Sequence, residues 1–228
     1  MEPVLALEEV TVPREGPYHT GLSGASFAIE PGELGMVLLE GNRPLTPLAD
    51  VASGLLPPER GRVRFKGRDW AHMGSDETCA ARARTRRVFA AQGWIDRIGV
   101  DGNLMLAEAH HTRRRLHEIA DEAADRCREF GLPGLPRDRP SDTPETDLRR
   151  AECARAFLGE ADLYLLERPE LANWPALMTA LVARVHGALL RGAAVLWLTT
   201  EPSVWHDPGV PSARRLRFSG PVLAEEAP

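Results

Sequence analysis

Apolar and polar positions roughly alternate from Leu5 to Val12, the period-two pattern of a strand with one buried face. After a Gly/Pro break, Ala25–Ile29 reads as a second strand and Pro31-Gly32-Glu33 as a turn. Leu34–Leu39 is short and wholly apolar, as expected of a strand covered on both faces. Leu48–Leu56 suits a short helix stopped by Pro57-Pro58. Gly61–Gly67 suits a strand closed by a turn, and Arg86–Ala90 another strand. The spacing then turns helical, over Asn103–Glu108 and over Thr112–Phe130. In the longer stretch Leu116, Ile119, Ala120, Ala123, Cys127 and Phe130 form one apolar stripe, with Gly131 placed as a cap. A polar, Pro-rich loop covers Pro133–Pro144. Thr146–Leu158 is the next helix, Asp162–Leu166 a buried strand, Pro175–Leu190 a helix and Ala193–Leu198 another buried strand. Arg214–Phe218 and Pro221–Leu223 read as a closing hairpin, and the ends, with Glu225-Glu226, as disordered. Antiparallel strands come first and strands alternating with helices follow, which predicts an α/β protein whose mixed sheet feeds a parallel one.

The 228 residues, 43% hydrophobic and 27% charged, are enough for one large core or two small ones. No apolar run approaches the ~20 residues of a membrane helix, and Met1-Glu2-Pro3-Val4 does not start a secretory signal. Cys79, Cys127 and Cys153 are widely spaced and odd in number, so neither a disulfide framework nor a zinc-type pair is expected. A reducing, cytoplasmic setting follows from that reading. The net charge of −5 argues against a nucleic-acid partner. The basic charge is almost all arginine: Lys66 is the one lysine. Any lysine-dependent chemistry must use Lys66 or not occur.

Several segments fall in the order and at the distances of a known family. Leu22–Glu33 resembles the lead into the P-loop strand of ABC transporter ATPases, and Ser53–Val63 the stretch after the P-loop helix. Val88-Phe89 through Ile98–Asn103 resembles that family's Q-loop and its entry to the helical subdomain. Ala154–Phe157 followed by Leu163–Pro169 is similar to the signature helix running into the Walker B strand, and Val195–Glu201 to the switch-histidine strand. The resemblance covers nearly the whole chain. It implies an ABC-type P-loop NTPase-like fold with an antiparallel β subdomain, a mixed/parallel core sheet and a helical subdomain. The implied division is a RecA-like core with the antiparallel β subdomain over 1–88 and 155–228, and a helical subdomain over 89–154 with Q-loop-like and signature-like ends.

Against that family the chemistry departs at every motif. A P-loop needs Gly-x-x-x-x-Gly-Lys-Ser/Thr, because consecutive backbone N–H groups and a helix N-terminus must wrap the phosphates. The matching positions here are Leu39-Glu40-Gly41-Asn42-Arg43-Pro44-Leu45-Thr46. Leu39 and Pro44 replace the glycines, Leu45 replaces the lysine, and Pro44 removes an amide donor. Thr46 alone keeps the magnesium-ligand type. Glu167 stands at the Walker B aspartate, Arg168 at the catalytic glutamate and Thr200 at the switch histidine; an arginine cannot accept a proton from water. Thr143–Asp147 stands at the signature, where Glu145 and Asp147 answer the helix dipole themselves. The adenine-stacking aromatic aligns near Arg14, with Tyr18 displaced from it. The resemblance thus implies an ABC subunit with no ATPase activity, no catalytic residue, no bound nucleotide or other cofactor and no metal.

What remains is binding. The family's groove beside the Q-loop receives coupling helices from an integral-membrane permease, and Ala91, Gln92, Gly93, Trp94 and Ile95 match it. Trp94 and Ile95 suit apolar anchors there, and Trp94 equally suits packing against the helical subdomain. The implied partners are such a permease and a second ABC ATPase-type subunit, in a heterodimer or homodimer, on the inner face of the cell membrane. The outline from Phe89 to Asn103 resembles the ATPases of mammalian-cell-entry lipid transport systems, so lipid is the suggested cargo. An NTPase using an arginine-based site (Arg43, Glu167) and a soluble sensor using the vacated cleft are the other readings. His110-His111 reads as a solvated helix start without a completing cysteine, Arg82–Arg87 as a solvated or internally paired basic run, Trp197 as core and Trp205-His206-Asp207 as a polar loop.

Overall fold

The computed structural model describes residues 2–41, 43–91, 93–172, 176–210 and 214–226. Strand β1 (Leu5–Val12) pairs antiparallel with β2 (Leu22–Ile29) and with β4 (Arg60–Phe65), and β4 continues to a two-residue β5 (Arg68–Asp69). The imperfect alternation in β1 has a local cause. Register shifts follow Leu7 and Glu8, Glu9 takes φ 52°, and its amide donates to Ser26 Oγ, so Glu8 and Glu9 both face solvent.

The second sheet contains β3 (Leu34–Leu38), β6 (Thr85–Val88), β7 (Leu163–Glu167), β8 (Ala194–Thr199), β9 (Arg214–Ser219) and β10 (Val222–Glu226), in the order β10-β9-β3-β8-β7-β6. Pairings from β9 through β6 are parallel, and β10 closes an antiparallel hairpin on β9. Every residue of β3, β7 and β8 is buried. The reason is two cores, one on each face. Met36, Tyr164 and Trp197 point toward the helices, whereas Val37, Leu165 and Leu196 point toward the antiparallel sheet.

The helices are α1 (Leu48–Ala52), α2 (Ser75–Ala83), α3 (Val100–His111), α4 (Leu116–Glu129), α5 (Glu145–Ala156), α6 (Leu177–Leu190) and α7 (Pro202–Trp205). The expected helix over Leu48–Leu56 is cut to five residues, because Gly54 adopts φ +67° and a Cβ there would lie 2.5 Å from the Trp70 ring. Other expectations are corrected. His110 and His111 end α3 rather than start a helix; Thr112 leaves the helix in extended backbone, and α4 begins only at Leu116. Glu225 and Glu226 belong to β10, each paired with an arginine of β9: Arg214 with Glu225, Arg217 with Glu226. Trp205 is buried, with the Arg217 and Arg215 guanidiniums 5.0 and 5.3 Å from its ring centre. Helix α2 escapes the apolar-stripe reading because none of its residues is buried. No helix among the described residues is long and apolar enough to cross a membrane.

The helical layer is pinned to the sheet by charge. Arg86 on β6 meets Glu108 on α3 at 2.5 Å, with side chains only 8% and 5% exposed, and Arg114 adds a second contact to Glu108 at 3.3 Å. Removing one member of such a pair strands the other in a low-dielectric interior. Glu108→Ala is therefore expected to cost about 3–5 kcal/mol in urea unfolding. Arg84→Ala, which breaks an ion pair whose arginine is 47% exposed, is expected to cost under about 1 kcal/mol. Equal costs for the two would contradict this ranking.

Candidate functional site

The carboxyl ends of β3, β7 and β8 open on one edge of the sheet, the edge where parallel α/β folds gather their ligand loops. The loop from β3 to α1 carries Leu39 to Thr46. Several of its amides are already bonded within the protein. The Leu39 amide donates to Thr199 O (2.8 Å), the Arg43 amide to Glu40 O (2.8 Å), the Leu45 amide to His19 Nδ1 (3.3 Å) and the Leu48 amide to Thr46 Oγ1 (3.4 Å). Pro44 and Pro47 have no amide to offer. The Glu40 carboxylate accepts from the Gly220 amide (2.8 Å) and sits 3.5 Å from Arg43. Thr46 is only 4% exposed and Leu39 is likewise buried. Asn42 lies outside the described residues. The following helix has only five residues, with Pro47 at its cap and no side-chain cap. Lys66 is elsewhere, at the end of β4, bonded to Asp162 at 3.0 Å.

Behind this loop lies a buried ion network that sequence reading did not find. Arg87 on β6 places Nε 2.6 Å from Glu167 Oε1 and Nη1 2.5 Å from Asp50 Oδ1 on α1. Tyr18 donates its hydroxyl to the other Asp50 oxygen at 2.7 Å. The Arg87 side chain is 10% exposed and that of Glu167 4%. Burial raises the Glu167 carboxyl above the usual carboxylate range, and the guanidinium opposes that shift. Burial lowers Arg87, but the coulombic pull of Glu167 and bonds to both carboxylates outweigh it, so the guanidinium is held charged. The Tyr18 phenol is pushed up to about 12 by burial and then by Asp50. Tyr18 thereby contributes its hydroxyl to the network.

The remaining motif positions are also engaged. Arg168 takes φ 49° and donates Nη2 to Ala90 O at 2.8 Å; burial and the Arg149 charge lower its pKa. On α5, Arg149 donates Nη1 to Phe89 O (3.1 Å) and Nη2 to Ala90 O (3.3 Å). Arg155 donates to Gly93 O (2.7 Å) and lies 4.5 Å over the Trp94 ring. Fully buried Glu152 balances both, at 3.3 Å from each, and burial raises its carboxyl. Thr199, beside Thr200, donates to Glu170 at 2.5 Å, and Trp197 Nε1 adds a 3.2 Å bond to the same carboxylate. Glu170, another residue the sequence did not flag, is thus an acceptor for β8.

Of the segment expected to meet a partner, Trp94 is half-buried against the helical core and capped by Arg155, whereas Ile95 is 48% exposed and Ala91 is exposed. Gly93 is required there, since a Cβ would fall 2.7 Å from the Phe89 ring. Gln92 lies outside the described residues. Beside this segment a groove of about 570 Å³ runs between β6, α3 and α5, lined among others by Phe89, Gly93, Leu106, Ala107 and Arg155. Leu106 is 48% exposed. The expectation that His110-His111 lacks a neighbouring cysteine fails: folding brings Cys79 to them.

No protein-family model matches the chain. It is 26% identical over 162 residues to the phosphonates import ATP-binding protein PhnC of Alcaligenes faecalis, covering 67% of this chain and 59% of that one. It is 31% identical over 153 residues to the thiamine import ATP-binding protein ThiQ of Cereibacter sphaeroides, covering 66% and 63%. It is 26% identical over 147 residues to the intermembrane phospholipid transport system ATP-binding protein MlaF of Haemophilus influenzae, covering 63% and 56%. The chain thus spans about three fifths of the length of these relatives. The dimeric structure of MJ0796, a bacterial ABC transporter cassette, superposes with a TM-score of 0.82 over 97% of both chains at 17% identity, a likeness of fold.

Arg87→Ala should leave Asp50 and Glu167 facing each other without a counter-charge, at a cost of about 3–5 kcal/mol in thermal or urea unfolding. Arg87→Lys should recover only part of it, because one ammonium cannot span both carboxylates as the planar fork does.

Proposed function

Because the chain belongs to the ABC transporter nucleotide-binding family, we propose that it is a non-hydrolysing subunit that supports a membrane transport complex. The reading rests on the Arg87 network. The carboxylate at the Walker B position is already neutralised by an internal guanidinium, which shares itself with Asp50 of the short helix after the loop. A magnesium-bound triphosphate would have to break that bridge, enter beside Glu40 and meet a loop in which the Arg43, Leu45 and Leu48 amides already have acceptors. Arg168, in the place of the proton acceptor, is a donor bound to a carbonyl. An intact site at a hundred times its Kd would add about 2.7 kcal/mol to stability, on the order of 5–10 °C in a domain of this size. We expect a melting shift under about 1 °C with millimolar ATP and magnesium, and no phosphate release above a no-enzyme control. Turnover abolished by Arg43→Ala or Glu167→Gln would replace this reading with an arginine-based NTPase.

In the proposed complex the chain sits peripherally on the cytoplasmic face of the membrane, beside a second ABC ATPase-type subunit. A permease coupling helix lies along the groove that Leu106 lines, with Ile95 two residues past its wall at Gly93. Their exposed apolar side chains favour this placement, since apolar anchors carry most of the energy of a small interface. Phospholipid is the proposed cargo class, supported by the MlaF likeness and by the outline from Phe89 to Asn103. Leu106→Glu combined with Ile95→Asp is expected to reduce recovery of the permease in detergent pull-downs at least tenfold. Both positions are exposed, so the melting temperature should hold. Undiminished recovery would remove the groove from the interface.

A further inference from the structure

We propose that Cys79, His110 and His111 form a binding site for a divalent transition-metal ion of the zinc class, which clamps α2 onto the end of α3. The three ligating atoms all lie within 4.8 Å of one another, and the two imidazoles stand edge to face with centres 4.6 Å apart. Tetrahedral coordination by one thiolate and two imidazoles, with bonds of about 2.0–2.3 Å, needs ligand separations of roughly 3.3–3.6 Å. All three side chains are exposed, so turning about their own torsions closes the remaining ångström without moving backbone. They border a surface cavity of about 480 Å³ also lined by Met73, Ser75, Thr78 and Arg82. That leaves room for a water as fourth ligand.

Electrostatics favours a cation at this point. His110 and His111 occupy the last turn of a twelve-residue helix, where the backbone dipole presents its negative end. Arg82, the basic group in the cavity wall, is directed away, with its guanidinium on Ser53 O (3.4 Å) and Gly54 O (2.5 Å). Binding would release the Cys79 thiol proton to solvent and form a metal–thiolate bond, with no change of oxidation state.

The site would also answer a structural need. None of the nine residues of α2 is buried, so apolar packing does little to fix that helix. A metal joining Cys79 to the end of α3 would tie it down at the rim of the groove that Arg82, His110 and His111 also line. The inference is independent of how the nucleotide cleft is read.

Cobalt(II) titration of the chelator-treated full chain tests it. One equivalent should produce a thiolate-to-cobalt charge-transfer band and the visible bands of a four-coordinate ion, displaced by zinc. The other two thiols are buried, with Cys127 pushed up to about 12 by burial and Cys153 raised further by the same cause, so the band reports Cys79. Cys79→Ser should abolish it. His110→Ala and His111→Ala should each weaken binding at least tenfold, while the metal-free variants melt with the parent. No band, a band that survives Cys79→Ser, or unchanged affinity in both histidine variants would overturn the proposal.

Discussion

One guanidinium holds the centre of this molecule. Arg87 joins β6 to β7 through Glu167 and to α1 through Asp50, and Tyr18 brings the loop between β1 and β2 into the same cluster. Two acids in so enclosed a place repel each other and lose hydration; a single cation between them offsets both effects, and the phenol O–H satisfies a remaining lone pair. Such a cluster adds little net stability relative to an apolar core of the same shape. Its effect is on specificity: the loop that follows β3 and the strand that ends at Glu167 are fixed relative to each other by charge. A nucleotide with its metal would compete for those carboxylates with the fold itself.

A second set of arginines does the same to the neighbouring segment. Arg149, Arg155 and Arg168 converge on the carbonyls of Phe89, Ala90 and Gly93, and Glu152 supplies the compensating charge. Charge-assisted bonds of this kind are shorter and stronger than neutral ones. They set the shape of the segment beside the groove with no ligand present. In the proposed reading that suits a fixed seat for a partner better than a lever that moves with each turnover.

Much of this was written in residue types. Wholly apolar runs at Leu34–Leu38, Leu163–Leu166 and Ala194–Leu198 announce strands buried on two faces. Pairings formed by topology were not legible. Arg86 and Arg87 belong to a run of basic residues, and nothing in the run says that one will meet Glu108 and the next Asp50 and Glu167. Helix α2 carries no apolar stripe, so periodicity passes over it, and Cys79 lies far from His110 and His111 in sequence, so their proximity is set by topology. The acidic Glu225-Glu226 looked like a loose end until the arginines of β9 stood opposite.

The loop after β3 has a reach beyond its own length. Glu40 is occupied by the Gly220 amide, the Leu45 amide by His19, and Pro44 removes one donor outright. A change at any of these positions is therefore felt outside the loop. Glu40 carries it to the turn between β9 and β10 through Gly220, and position 45 carries it to the segment between β1 and β2 through His19, so the loop works as a splice between the two sheets.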